Sequence, residues 1–132
     1  MSNHVHLVAH SSSGQLSNTL RDFKKYTSKK IIETIEMIPE SRRDWMLNQF
    51  RFNAPKHKRN SNYQVWTHEN HAILLYSNNF IAEKIEYIHN NPVRAKIVQN
   101  PEDYLYSSAR NYASLSAVLE IEPLVLPVIT IK

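Results

Sequence analysis

Leu16, Leu20, Phe23, Thr27, Ile31, Ile35 and Ile38 recur at steps of three and four residues. That is the α-helical period, and it predicts a helix from about Gln15 to Met37. No other feature constrains the chain as much, because a rod that long must lay its apolar stripe against something. Its ends are marked. Ser11 to Gly14 reads as a turn around the protein's only glycine, and Pro39 ends the helix. Arg21, Lys25 and Lys29 fall at i, i+4 and i+8 on a different face, so one side packs and another is a cationic stripe.

The 132 residues suit one domain with a modest core. The absence of cysteine excludes disulfides and thiolate metal sites and fits a reducing cytoplasm. The opening residues do not read as a signal peptide, and no apolar stretch approaches the roughly 20 residues of a membrane helix. The net charge of +4 is mild but clustered. Five basic residues (Arg21, Lys24, Lys25, Lys29, Lys30) stand between positions 21 and 30 against one acid, Asp22. Four more (Arg51, Lys56, Lys58, Arg59) stand between 51 and 60 with no acid. Clustered cations attract polyanions, nucleic acid above all, although a plain solvated face has the same composition.

Around the long helix, short elements alternate in type. HVHLVAH, residues 4–10, is strand-like. Ser41 with Asp44 resembles a helix start, and SRRDWMLNQF follows as a short helix anchored by Trp45, Met46 and Phe50. FNAPKHKRNSN is a polar, basic loop, and YQVW alternates as a second strand. His71 to Tyr76 either continues that strand or forms a hairpin arm. Ser77, Asn78 and Asn79 offer an N-cap to a helix, FIAEKIEYIHNN, that runs to Pro92 on a seam of Ile81, Ile85 and Ile88. PEDYLYSSARNYA reads as a loop and a short helix. LEIEPLVLPVITIK is β-branched, but its prolines leave it an edge strand or an extended tail.

Two stretches could carry chemistry. In a strand, His4 and His6 share one face, so their imidazoles can converge on one ion. The same spacing also arises in a surface strand with two incidental histidines, and a third ligand must come from elsewhere. In the later helix, Phe80, Lys84, Tyr87 and Asn91 form a stripe beside the core seam. An amide oxygen can bind metal and a phenol can be a nucleophile, whereas a helical tyrosine is more commonly packing. Trp66 can likewise stack a base or pack in a core, and packing is the preferred reading. His89 and Asn90 turn to other faces, and His10 lies too far along the strand to share an ion with His4 and His6.

Taken together, NHVHL, the basic helix, VW, YIHNNPVRAKIV and DYLYSSARNY stand in an order that resembles the HUH single-tyrosine transposases. More narrowly, the chain is similar to the REP-associated tyrosine transposases and their IS200-like relatives, over nearly all of Met1 to Tyr112. The histidine–hydrophobe–histidine motif is His4-Val5-His6, and the family's Tyr-x3-Asn/Gln is Tyr87 with Asn91. The resemblance implies an α+β fold, a ferredoxin-like (RRM-like) antiparallel sheet with helices on one face. It places that domain at residues 1–112 and leaves 113–132 as a C-terminal tail or edge strand. It also implies a single-strand DNA transposase or endonuclease, in which Tyr87 attacks a phosphodiester and holds the 5′-phosphate covalently.

A divalent ion on His4, His6 and Asn91 would polarise that phosphate. Two imidazoles and an amide oxygen suit Mg²⁺ or Mn²⁺. A free phenol is mostly protonated at neutral pH, and the ion, or Lys84 one turn earlier, would favour the phenoxide. Arg21, Lys24, Lys25, Lys29, Lys56, Lys58 and Arg59 would neutralise the backbone of a single strand flanked by hairpins or repeats. In the family a strand, a helix and a second strand precede the HUH strand, and a methionine often sits just ahead of the motif, the place that Met1 occupies here. The domain is therefore expected to be N-terminally incomplete, through a misassigned start, a truncated gene or a fragment. An incomplete domain leaves two further readings, a catalytically inactive remnant that binds single strands and a homodimer that exchanges strands.

Overall fold

The helical period of the first third is realised as α1, Leu16–Met37, in a computed structural model that describes residues 4–39, 41–54 and 62–127. Before it, Gly14 adopts φ +70 and donates its N–H to the Ser11 carbonyl at 3.3 Å, a left-handed turn that glycine adopts cheaply. At the far end Ile38 is extended (φ −90, ψ 148), the conformation Pro39 imposes on the residue before it. The chain divides into two compact units, one of residues 9–72 and one of residues 1–8 with 73–132.

In the first unit α1 packs with α2, Arg43–Asn53, and Ile35 and Ala54 are its buried apolar residues. Met46 and Phe50 of α2 are half-buried, but Trp45 is exposed and anchors nothing in the core. Residues 62–72 are fastened by side chains. The Trp66 indole donates to Thr27 Oγ1 at 2.8 Å, while the Thr27 hydroxyl donates to the Phe23 carbonyl at 2.8 Å. The Trp66 ring lies 6.0 Å from that of Phe23, so Trp66 packs on α1. Gln64 N–H reaches the Phe50 carbonyl at 2.9 Å.

The second unit is built on α3, Asn78–Arg94, whose first turn is capped by Ser77 Oγ accepting from Phe80 N–H at 3.3 Å. α3 runs two residues past the expected stop at Pro92, which is buried. Its exit re-satisfies the last carbonyls: Ile97 N–H donates to Pro92 O at 2.9 Å and Lys96 N–H to Val93 O at 2.8 Å, with Lys96 at φ +57. α4, Ala109–Tyr112, ends the same way, with Leu115 N–H on Arg110 O, Ser114 N–H on Asn111 O, and Ser114 at φ +56. In a chain with one glycine, lysine and serine occupy the left-handed positions where glycine is usual.

α3 packs on the 3-10 turn Pro101–Asp103, and that turn packs on α4. His89 Nε2 hydrogen-bonds Ser108 Oγ at 2.9 Å and its ring lies edge-on to Tyr112 at 5.1 Å. Arg110 ties the 3-10 turn to the segment after α4, donating to Glu102 O at 2.9 Å and Ser116 O at 2.7 Å. Residues 115–127 form a tail held by side chains, with Asn111 Nδ2 on Leu119 O and Leu124 N–H on the Tyr112 hydroxyl.

Among the described residues no strand forms, and the expected ferredoxin-like antiparallel sheet is not present. Each strand-like segment has a local reason. His71 takes φ +48, which breaks any extended run from Tyr63 through Tyr76. The backbone and side chains of 62–67 bond to α1 and α2 instead of a ladder. In residues 4–10 and 73–76, Val5, Leu7, Ile73 and Leu74 are 62–83% exposed, so no sheet face covers them. No helix of the described residues is long and apolar enough to cross a membrane.

The second unit yields two testable outcomes. Lys96→Gly relieves a left-handed non-glycine residue and should raise stability by about 1 kcal/mol, read from urea midpoints; a lower midpoint would refute the strain. Partial burial lowers the pKa of His89 below the ordinary 6.5. The unfolded chain then binds more protons around that pH, so this contribution to stability is present above it and lost as pH falls. The melting temperature should rise from mildly acidic to neutral pH, and His89→Gln should flatten that slope.

Candidate active site on the third helix

α3 and residues 4–8 belong to the same unit, so the first histidines and the later helix can be compared directly. The His4 and His6 rings lie 5.0 Å apart at 90°, and the His6 ring lies 6.0 Å from that of Tyr87 at 84°. The structure thus brings together His4, His6 and Tyr87, residues some eighty positions apart. Tyr87 remains 44% exposed. One turn further on α3, Asn91 holds its Nδ2 buried with no hydrogen-bond partner. Partial burial, then the neighbouring charge of His4, lowers the pKa of His6. Its neutral form is the one that binds metal.

The donor types suit a divalent ion: two imidazoles with rings 5.0 Å apart and, one turn from Tyr87, an amide that half a turn would convert from Nδ2 to an oxygen donor. Among the described residues no three His, Cys, Asp or Glu side chains gather as a metal cluster. An ion here would rest on two imidazoles and an amide, a weak set that leaves room for phosphate oxygens and water.

Two cations flank Tyr87. Lys84 Nζ is 5.9 Å from the ring centroid and Arg94 Cζ is 5.6 Å from it, both within cation–π range. Lys84 also lies 3.3 Å from Glu83 Oε1. Arg94 escaped the sequence reading, but the stripe of 80, 84, 87 and 91 reaches it by one further step of three. His89 and Asn90 serve other faces, His89 on Ser108 and Asn90 on the Glu86 carbonyl.

The basic residues of α1 lie in the other unit and are partly engaged. Arg21 pairs with Asp22 at 2.9 Å and also bonds Asn18. Lys24 donates to the Thr67 carbonyl at 2.8 Å, and Lys29 and Lys30 both reach Glu33. Lys25 contributes its charge to Asp22. The stripe is therefore less cationic than residues 21–30 suggest, because Glu33 lies just beyond that window. Lys56, Lys58 and Arg59 lie outside the described residues. No family profile, curated protein or solved structure matches the chain.

An ion held as described has a direct signature. Substoichiometric Mn²⁺ should broaden the imidazole resonances of His4 and His6 and the side-chain amide of Asn91 before those of the other histidines. Asn91→Ala should raise the Mn²⁺ concentration needed. Equal broadening at all seven histidines would count against a site.

Proposed function

We propose that this chain is an HUH-type single-tyrosine transposase or endonuclease of single-stranded DNA, with Tyr87 as nucleophile. The observation that carries the reading is the gathering of His4 and His6 against Tyr87, with the unpartnered Asn91 Nδ2 one turn further along α3. Neither stretch alone would support it.

The Tyr87 oxygen, once deprotonated, attacks phosphorus in line. The bond from phosphorus to the 3′-oxygen breaks, and that oxygen takes a proton and leaves as a 3′-hydroxyl. The 5′-phosphate stays on Tyr87 as an ester. Attack by another 3′-hydroxyl reverses the step, rejoins the strand and returns the phenol, with no net change in bond type. Mg²⁺ or Mn²⁺ held by His4, His6 and Asn91 would supply Lewis-acid polarisation of the phosphate. Lys84 and Arg94 hold the anionic strand near the ring. Arg21, Lys24, Lys25 and Lys29 add sequence-independent attraction. Exposed ion pairs such as Arg21–Asp22 contribute little to stability, so a phosphate can replace the acid.

The test is a labelled, hairpin-flanked single strand incubated with the protein and Mn²⁺. Wild type should give an adduct that survives denaturation, Tyr87→Phe none, and Arg94→Gln at least tenfold less. Salt-sensitive binding without any adduct would instead identify a non-catalytic single-strand binder. An adduct undiminished in Tyr87→Phe would remove Tyr87 from its role.

A further inference from the structure

Upstream of Tyr87, Phe80 on α3 and Tyr76, just before the helix begins, form an aromatic pair that the proposed reaction does not use. The rings of Tyr76 and Phe80 are stacked, with centroids 5.0 Å apart and planes at 26°. Lys84 Nζ sits 4.8 Å from the Phe80 centroid and 5.9 Å from that of Tyr87, so one ammonium joins the stack to the nucleophile. Arg94 continues the series beyond Tyr87. In chain order the series is Tyr76, just before α3, then Phe80, Lys84, Tyr87 and Arg94 on it, aromatic faces interleaved with cations.

Tyr76 has no structural need to be there. It is 79% exposed, and its ring partner among the described residues is Phe80. A tyrosine that open gains little from burial. What it offers is a flat π-surface, already held parallel to a second ring, beside a positive charge. Stacked aromatics next to cations are the means by which proteins hold single-stranded nucleic acid without reading its sequence.

We infer that Tyr76, Phe80 and Lys84 form a base-stacking platform for nucleotides flanking the phosphate delivered to Tyr87. Phe80 and Tyr87 are seven residues apart, about 10 Å along the helix, which is the rise of about three stacked nucleotides. A base laid on the Tyr76–Phe80 stack therefore places a phosphate a few nucleotides away at Tyr87. Lys84 neutralises the backbone between them. Its Glu83 partner is exposed and readily displaced by phosphate. The platform rests on the reading of Tyr87 as a nucleophile toward a single strand, and adds a subsite to it.

Binding of a fluorescent oligothymidylate, followed by anisotropy in EDTA so that no cleavage occurs, tests the platform. Tyr76→Ala should weaken binding roughly tenfold, whereas Tyr76→Phe should bind as wild type because the ring is kept. Tyr76→Trp should bind at least as tightly, with its indole fluorescence quenched by the strand. Lys84→Gln should weaken binding and reduce the salt slope by about 0.7. Wild-type binding by Tyr76→Ala, an equal loss in Tyr76→Phe, or an unquenched Tyr76→Trp would overturn the platform. The adduct assay separates the two claims. Stacking-dependent binding with no adduct leaves the platform standing without the nuclease, and an adduct with unchanged Tyr76→Ala binding does the reverse.

Discussion

The hydrogen bond between His89 and Ser108, with the Tyr112 ring edge-on beside it, fastens one face of α3 to the residues that lead into α4. A helix turns about 100° per residue, so His89 points roughly 200° away from Tyr87. Seating His89 against Ser108 and Tyr112 therefore leaves Tyr87 on the open side. The seat is itself braced. Arg110 spans from the Glu102 carbonyl to that of Ser116, and the Tyr112 hydroxyl accepts from Leu124 N–H. The apolar core is thin among the described residues, with Ala109 the buried apolar side chain of this turn region. Directed hydrogen bonds consequently carry a larger share of the positioning than packing does.

The open side of α3 is where charge and aromatic surface are concentrated. Lys84 and Arg94 approach the Tyr87 ring from the preceding turn and from two turns beyond. Both stay available to an anion because their partners are π-faces and one exposed carboxylate. The α1 cations differ in kind. They are held by Asp22, Glu33 and the Thr67 carbonyl, so a polyanion must exchange contacts to use them. The former set rests on ring faces, the latter on carboxylates and a backbone carbonyl.

The helices were legible because their signal is local. The stripe from Leu16 to Ile38 predicts α1 to within a residue of Leu16–Met37, and Ser77 caps α3 as its position suggests. The end of α3 was not, since Pro92 argues for a stop while the helix runs on to Arg94 and is closed only by the two backbone bonds at Lys96 and Ile97. The strands failed for a different reason. A ladder depends on a partner distant in sequence, and β-branched composition alone cannot supply one. Trp66 shows the competition: its indole bonds Thr27 on α1, which draws YQVW onto a helix. The site was legible only in pieces. His4, His6, Tyr87 and Asn91 could be named from spacing and resemblance, but Arg94 and the Tyr76–Phe80 stack emerge from the geometry.

Asn91 is the residue where stability and chemistry part. A buried amide hydrogen without an acceptor costs about 1–3 kcal/mol, and a single apolar substitution would remove that cost. Its neighbours show that the helix can satisfy amides when it needs to, since Asn90 bonds back to the Glu86 carbonyl one turn earlier. Asn91 does not, although its own carbonyl accepts from Ala95 N–H in the usual helical way. The unsatisfied group lies one turn from Tyr87, the residue whose ring meets His6. The Nδ2 group is thus left unpaired one turn from a tyrosine whose neighbouring His6 imidazole is held toward its neutral form, and position 91 carries a cost that an apolar residue would not.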